Sequence, residues 1–430
     1  MSRDRSGGVH RVRDFRRLWF SNVSQEVGRQ LGTLALSVTA VVVLEAAAWQ
    51  VGLITALGTS AYLMIGLPAG VWVDRWRKRP VLVTADLLRA GATLSVPVAY
   101  IANWLTIEHL MLVAAVISFT SVFSDTAQTA FVPTIVGPAN VSEAIARLQS
   151  TDTTMQVVGP ALAAALLTRM AAPLLYVITA VTGVLSAAAA WSIRAPEPQQ
   201  NGVRHPPLHK SIGDGFNFIR RHPALRVFMV TNALINTGAG VFATLIVLVA
   251  LDDFGLTASN YALAGSIGAT GGILGSLIAM PIRNRLGAIR TMLVSYWLLP
   301  LAGLILPLGY VLPAPGAVFV AATSFSFGSV VVVSSISAAG LRAEVTPPDM
   351  MGRVSSANRF VTLGAMPVGA LLAGLLASPL PYGVVLLLSP SLMTVAATVF
   401  LISPLRAHRN LPEEWKHREQ RGQPSAVPAP

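Results

Sequence analysis

Apolar runs long enough to cross a bilayer fall near residues 18–44, 50–73, 81–103, 109–133, 143–168 and 172–193, and again near 226–250, 258–282, 290–311, 316–341, 353–377 and 381–404. A helical span needs roughly 20 mostly apolar residues. Lipid offers no water to an open backbone N–H or C=O, so runs of this length are confined to helices. Charged residues make up 12% of the 430-residue chain against 53% hydrophobic, whereas a soluble chain carries roughly 25% charged residues to cover its surface. The reading is an all-α integral membrane protein with 12 transmembrane helices, arranged as six, a linker and six.

Lys and Arg fix the orientation. Of 31 basic residues, 27 lie in the two tails, the linker and every second loop, while the loops of the opposite side hold only Arg169. The positive-inside rule assigns the basic side, with both termini and the linker, to the cytoplasm. The net charge of +12 is therefore a topology and lipid-contact signal, and no aromatic or fold motif for nucleic acid accompanies it. The chain divides into a basic tail (1–17), a first six-helix bundle (18–193), a linker (194–225), a second bundle (226–404) and a cytoplasmic tail expected to be disordered (405–430). In the linker, Ala195-Pro196-Glu197-Pro198 stops a helix, and Ile212, Phe216 and Ile219 recur at helical spacing. That spacing predicts a short amphipathic helix on the membrane surface; a flexible tether with chance spacing is the alternative.

The halves repeat. Val158-Gly159-Pro160 in span five answers Met366-Pro367-Val368 in span eleven, and the basic loop Asp74-Arg75-Trp76-Arg77-Lys78-Arg79 has a weaker echo at Asn284–Arg290. Two six-helix halves of like orientation are pseudo-symmetric about an axis along the membrane normal, a geometry suited to alternating access.

Gly70-Val71-Trp72-Val73-Asp74-Arg75-Trp76-Arg77-Lys78-Arg79, followed by Asp86, resembles the signature loop of the major facilitator superfamily, with Arg77 where most members have glycine. Asp14-Phe15-Arg16-Arg17-Leu18-Trp19, Ser124-Asp125-Thr126-Ala127 and Gly352-Arg353-Val354 narrow the resemblance to its macrolide-efflux and enterobactin-exporter branch. The resemblance implies the major facilitator fold, transport of a small solute, and a cytoplasmic gate formed by Gly70, Asp74, Arg75, Lys78, Asp86, Arg89, Asp125, Arg353 and Arg359. In it Asp74 faces the N-terminus of span eleven, and Asp125 pairs with Lys78 or Arg353. The exporter signature of helix five is half present: Gly159-Pro160 stands, but Ala163-Ala164 replaces a glycine pair.

An intramembrane charge costs about 2.5–3.5 kcal/mol on the insertion scale and calls for a reason. Glu26 and Arg29 in span one are three residues apart, on one helical face; Asp152 lies about ten residues into span five. Either carboxylate is a candidate proton carrier in a central cavity, with Arg29 tuning Glu26 or holding an anionic substrate group. A self-neutralised Glu26–Arg29 pair that only fixes packing is the other reading. Gln25, Gln149, Gln156, Asn232 and Asn236, with Asn22, Gln128 and Asn358, supply the amides of such a cavity, or of plain interhelical hydrogen bonds. Tyr62, Phe123, Phe242 and Phe325 offer apolar contacts.

The absence of cysteine removes disulfides and thiolate chemistry, and the seven histidines show no metal-ligand spacing, so neither metal nor cofactor is expected. No Walker loop occurs. The expected function is proton-coupled export of an amphiphilic small molecule such as an antibiotic, drug or siderophore, by a monomer in a bacterial inner membrane. An importer or lysophospholipid flippase on the same fold is the alternative. A polytopic enzyme would need a cluster of catalytic groups that the sequence does not offer.

Overall fold

A computed structural model describes residues 12–137, 140–197, 208–346, 351–412 and 415, and every element among them is helical. The helices are α1 (Arg13–Val38), α2 (Ala48–Arg75), α3 (Lys78–Ile101), α4 (Ile107–Val136), α5 (Val141–Leu167), α6 (Leu175–Trp191), α7 (Leu208–Arg221), α8 (Pro223–Leu248), α9 (Ala258–Leu286), α10 (Ala288–Leu308), α11 (Gly316–Val345), α12 (Met351–Leu376), α13 (Tyr382–Leu386) and α14 (Leu388–Ile402).

Each predicted apolar run is occupied by helix. Among the described residues, nine helices are long and apolar enough to cross a membrane. Those below that standard are α1, α5 and α12, which hold Glu26 and Arg29, Asp152, and Arg353 and Arg359. Large apolar side chains face outward as well as inward. Leu112, Leu277, Val311 and Ile402 are exposed, while Glu26, Asp86, Ser186, Thr231 and Thr244 are buried. So many large apolar side chains facing outward along long helices suit lipid as the solvent.

The chain forms two compact units. In the first, comprising α1–α6 and Val247–Ser266, Phe15, Leu82, Phe131 and Ile193 are in one core cluster. Gly159 on α5 lies so close to α1 that a Cβ there would collide with the Gln30 side chain. The Val247–Ser266 segment belongs here, outside the six-helix boundary read from the sequence, because Ala262 packs with Leu31 and Ala163. Its Ser259 hydroxyl also donates to the Ala164 carbonyl at 3.0 Å. In the second unit, Phe228 and Tyr296 both pack on Phe400, and α8 crosses α12 with Gly240 against the Met366 carbonyl and Gly369 against that of Thr237.

Local geometry repeats at an offset of 210 residues. A π-turn ends α1 at Thr39–Val43 and another ends α8 at Val249–Asp253. Positive φ follows at Glu45 and Gly255. Each unit also caps the helix after its basic loop with a residue from beyond its last helix. Glu197 accepts the N–H groups of Lys78 and Arg79 at the start of α3. Asn410 Oδ1 accepts that of Ala288 at 3.0 Å, and the Arg409 carbonyl accepts that of Ile289 at 3.2 Å. Both devices satisfy orphan donors at a helix N-terminus.

Two expectations are corrected. Helix α7 does not spend its apolar face on the membrane surface: Ile219 is buried in the core of the second unit, and Phe216 meets Phe360 of α12 edge to face at 6.3 Å. The tail is not disordered from residue 405, since Leu405 and Leu411 are buried in that same core and Trp415 packs on it. An apolar stripe takes whichever apolar surface is nearest, and here that surface is the protein itself.

Candidate functional site

Helix α1 is the hub of the polar groups in the first unit. At 100° per residue, positions 22, 26 and 29 share one stripe, and 21, 25, 28 and 32 another. On the first stripe the Asn22 amide donates to Asp152 Oδ1 of α5 at 2.9 Å and accepts from Gln128 of α4 at 2.6 Å. One turn on, Arg29 grips Glu26 with two nitrogens, Nε at 3.1 Å and Nη2 at 2.7 Å from Oε2. Glu26 is buried, its side chain only 4% exposed, whereas that of Arg29 is 48% exposed. A neighbouring Trp19 indole donates to Thr151 at 2.8 Å and ties α1 to α5.

The second stripe faces α3 and α6. Gln25 Nε2 lies 2.8 Å from both Asp86 Oδ1 and Ser124 Oγ. Ser186 donates to Asp86 Oδ2 at 2.6 Å, and its hydroxyl is also 2.8 Å from that of Ser21 and 3.1 Å from the Ser21 carbonyl. Asp86 is completely buried. It stands eight residues beyond the start of α3, or about 12 Å along the helix axis, inside the bundle rather than beside the loop. Gln25, read as a cavity residue, is its hydrogen-bond donor.

Of the other gate residues, Asp125 accepts a 2.6 Å hydrogen bond from the Tyr62 hydroxyl of α2, a partner the sequence did not suggest. The Lys78 ammonium donates to the Trp76 carbonyl at 3.0 Å. Arg75 is exposed, Gly70 half-buried and Arg89 buried. The side chains of Asp74, Arg353 and Arg359 lie outside the described residues. Gln149 and Gln156 are exposed on α5. In the second unit Asn236 donates to the Asn232 carbonyl at 2.9 Å, and Tyr296 donates to Asn232 Oδ1 at 3.4 Å; Asn358 is buried. Pro160 sits within an unbroken α5. Ser186 carried no sequence signal, because an isolated hydroxyl barely alters an apolar run, Ser21 was masked by the polar residues beside it, and Glu197 read only as part of a helix stop.

Chemically, the first unit holds Asp152 under a neutral amide and Glu26 under its own counter-ion, on adjacent helices. The family model described as Major Facilitator Superfamily matches residues 18–366.

The chain belongs to the Major Facilitator Superfamily.

Macrolide efflux protein A of Streptococcus pyogenes is 24% identical over 347 residues, covering 80% of this chain and 84% of that protein. The solved nucleoside transporter NupG superposes with a TM-score of 0.73 at 15% identity, over 90% of this chain and 98% of that one. A bacterial homologue of iron transporter ferroportin does so with a TM-score of 0.70 at 16% identity, over 92% and 99%. This superfamily member is a multi-pass membrane transporter, not an enzyme.

Proposed function

We propose that this transporter is a proton-coupled antiporter that exports an amphiphilic small molecule, in the class of antibiotics, drugs or siderophores. It acts as a monomer by alternating access, in a bacterial inner membrane with both termini cytoplasmic. The observation that carries the proposal is the contrast between the two candidate carboxylates. Glu26 already holds a two-pronged guanidinium, so protonating it strands a cation. Asp152 is held by the neutral Asn22 amide, which serves a carboxyl and a carboxylate alike. Asp152 is therefore the proton carrier, and half-exposed Arg29 is the group that meets an anionic part of the substrate or senses the charge on Asp152. The similarity to macrolide efflux proteins supports export.

Susceptibility profiling in a pump-deficient host tests this. The wild-type gene raises resistance to at least one amphiphilic antibiotic, Asp152→Asn abolishes the gain, and Glu26→Gln weakens it. Resistance conferred equally by wild type and Asp152→Asn would remove Asp152 from the coupling role. The similarity in fold to a nucleoside transporter keeps an importer as the second reading. Inward accumulation of solute by intact cells would select it.

A further inference from the structure

We propose that the groove between the start of α1 and the end of α6 binds the headgroup of an anionic phospholipid from the leaflet on that side, the cytoplasmic one by the Lys and Arg asymmetry. The two helices run antiparallel here, fastened where the Arg194 N–H donates to Asp14 at 3.2 Å. Between them lies a groove of about 400 Å³ lined by Arg13, Arg16, Arg17, Phe20, Leu185 and Ala189 among others. Its composition changes along its length. Arg13, Arg16 and Arg17 occupy one end. One turn deeper Phe20 (48% exposed) and Leu185 (46% exposed) form an apolar wall.

Two of the three arginines at this end are not consumed by the protein. Arg17 is paired with Asp14 at 2.7 Å. Arg13 and Arg16 are exposed and have no hydrogen-bond or ion-pair partner among the described residues. Residues 13, 16, 17 and 20 fall at i, i+3, i+4 and i+7, so three guanidinium groups and one ring share a stripe. The level is that of a bilayer interface: Trp191, the last residue of α6, is exposed and carries Arg79 over its ring at 4.9 Å, as interfacial tryptophans do. A phosphodiester suits two free guanidinium forks, and acyl chains suit the apolar wall below. Basic pockets between spans on the cytoplasmic side are the established chemistry of anionic-lipid capture. Free inorganic phosphate would use the arginines but not the wall.

Native mass spectrometry of the purified full-length transporter, titrated with phosphatidylglycerol or with phosphatidylcholine of the same acyl chains, tests the groove. Wild type is expected to retain phosphatidylglycerol in preference. Arg13→Gln with Arg16→Gln should lower that retention by about fivefold for each arginine removed. The same variant should leave phosphatidylcholine retention unchanged, which shows that the protein is intact, and Arg13→Lys with Arg16→Lys should keep most of the preference. Arg285→Gln with Arg290→Gln, removing two exposed charges from the other unit, should have no effect. Three outcomes would overturn the proposal: undiminished phosphatidylglycerol retention in the Arg13/Arg16 variant, equal loss in the Arg285/Arg290 variant, or displacement of the lipid by millimolar inorganic phosphate.

Discussion

Replacing Ser186 by alanine is expected to destabilise the first unit more than replacing Asp86 by asparagine, although Asp86 carries the charge. Buried as it is, the Asp86 carboxylate is satisfied by Gln25 at 2.8 Å and Ser186 at 2.6 Å, with Arg89 one turn along α3 as the nearby positive charge. An ionised oxygen that loses its donor in the interior costs about 1.5–3 kcal/mol, and Ser186→Ala does this to Oδ2. Asp86→Asn behaves differently. Its Oδ1 still accepts from Gln25, its new NH₂ group donates to Ser186 Oγ, and the Ser186 hydroxyl turns to the Ser21 carbonyl already 3.1 Å away. The bonds to Gln25, Ser186 and Ser21 all persist, so their share of the cost should stay below about 1 kcal/mol, the remainder being the negative charge that buried Arg89 loses. In the double variant the buried NH₂ group loses its Ser186 acceptor, at about 1–3 kcal/mol, so the cycle reads only the excess that the charge adds to the Ser186 bond. Reversible unfolding of the detergent-solubilised protein, read as a double-mutant cycle, measures all three values. A neutral Ser186→Ala beside a costly Asp86→Asn would refute an ionised Asp86 held by hydroxyl donors.

Gly240→Ala places a Cβ against the Met366 carbonyl, and overpacking of this kind should cost about 1–3 kcal/mol, visible as a lower thermal midpoint in detergent. Glu197→Ala and Asn410→Ala should each cost about 1 kcal/mol, as lost helix caps do; equal stability to wild type would show that neither cap contributes. His222, in the turn between α7 and α8, donates from Nε2 to the Trp415 carbonyl, while its buried Nδ1 has no partner among the described residues. Burial holds its pKa below the ordinary value, so the unfolded chain binds the proton more readily. Stability is therefore full above about pH 6.5 and falls as pH drops below it. The thermal midpoint of wild type should fall between pH 7 and pH 5 more steeply than that of His222→Asn; parallel curves would contradict this.

Much of the fold was legible because a bilayer demands long apolar helices, and the repeat of the two halves appears first as matching prolines and loops. Depth was legible only along the helix axis. Counting residues put Glu26 and Asp152 deep in their spans, but counting does not reveal rotation, and rotation turned Asp86 inward to Gln25 rather than toward the loop. Amphipathic spacing showed that α7 has an apolar face; it carried no information on whether lipid or Ile219's neighbours in the second unit would cover it. Asn22 and Gln128 read as polar residues in apolar runs, yet the relay from Gln128 through Asn22 to Asp152 could be traced only once α1, α4 and α5 were placed together. Serines at 21 and 186 were invisible, since Ser186 is one hydroxyl in a run of alanines and Ser21 stands among the more polar Asn22, Ser24 and Gln25.

The most direct test measures uptake of the amphiphilic antibiotic to which the wild-type gene confers resistance, into inverted membrane vesicles bearing an acid-inside pH gradient, with solute exchange in the absence of a gradient measured beside it. Asp152→Asn keeps an acceptor for the Asn22 amide and should preserve the helix contacts, so exchange should persist while gradient-driven accumulation disappears. Accumulation by Asp152→Asn at the wild-type level would contradict the assignment of the coupled proton to that carboxylate.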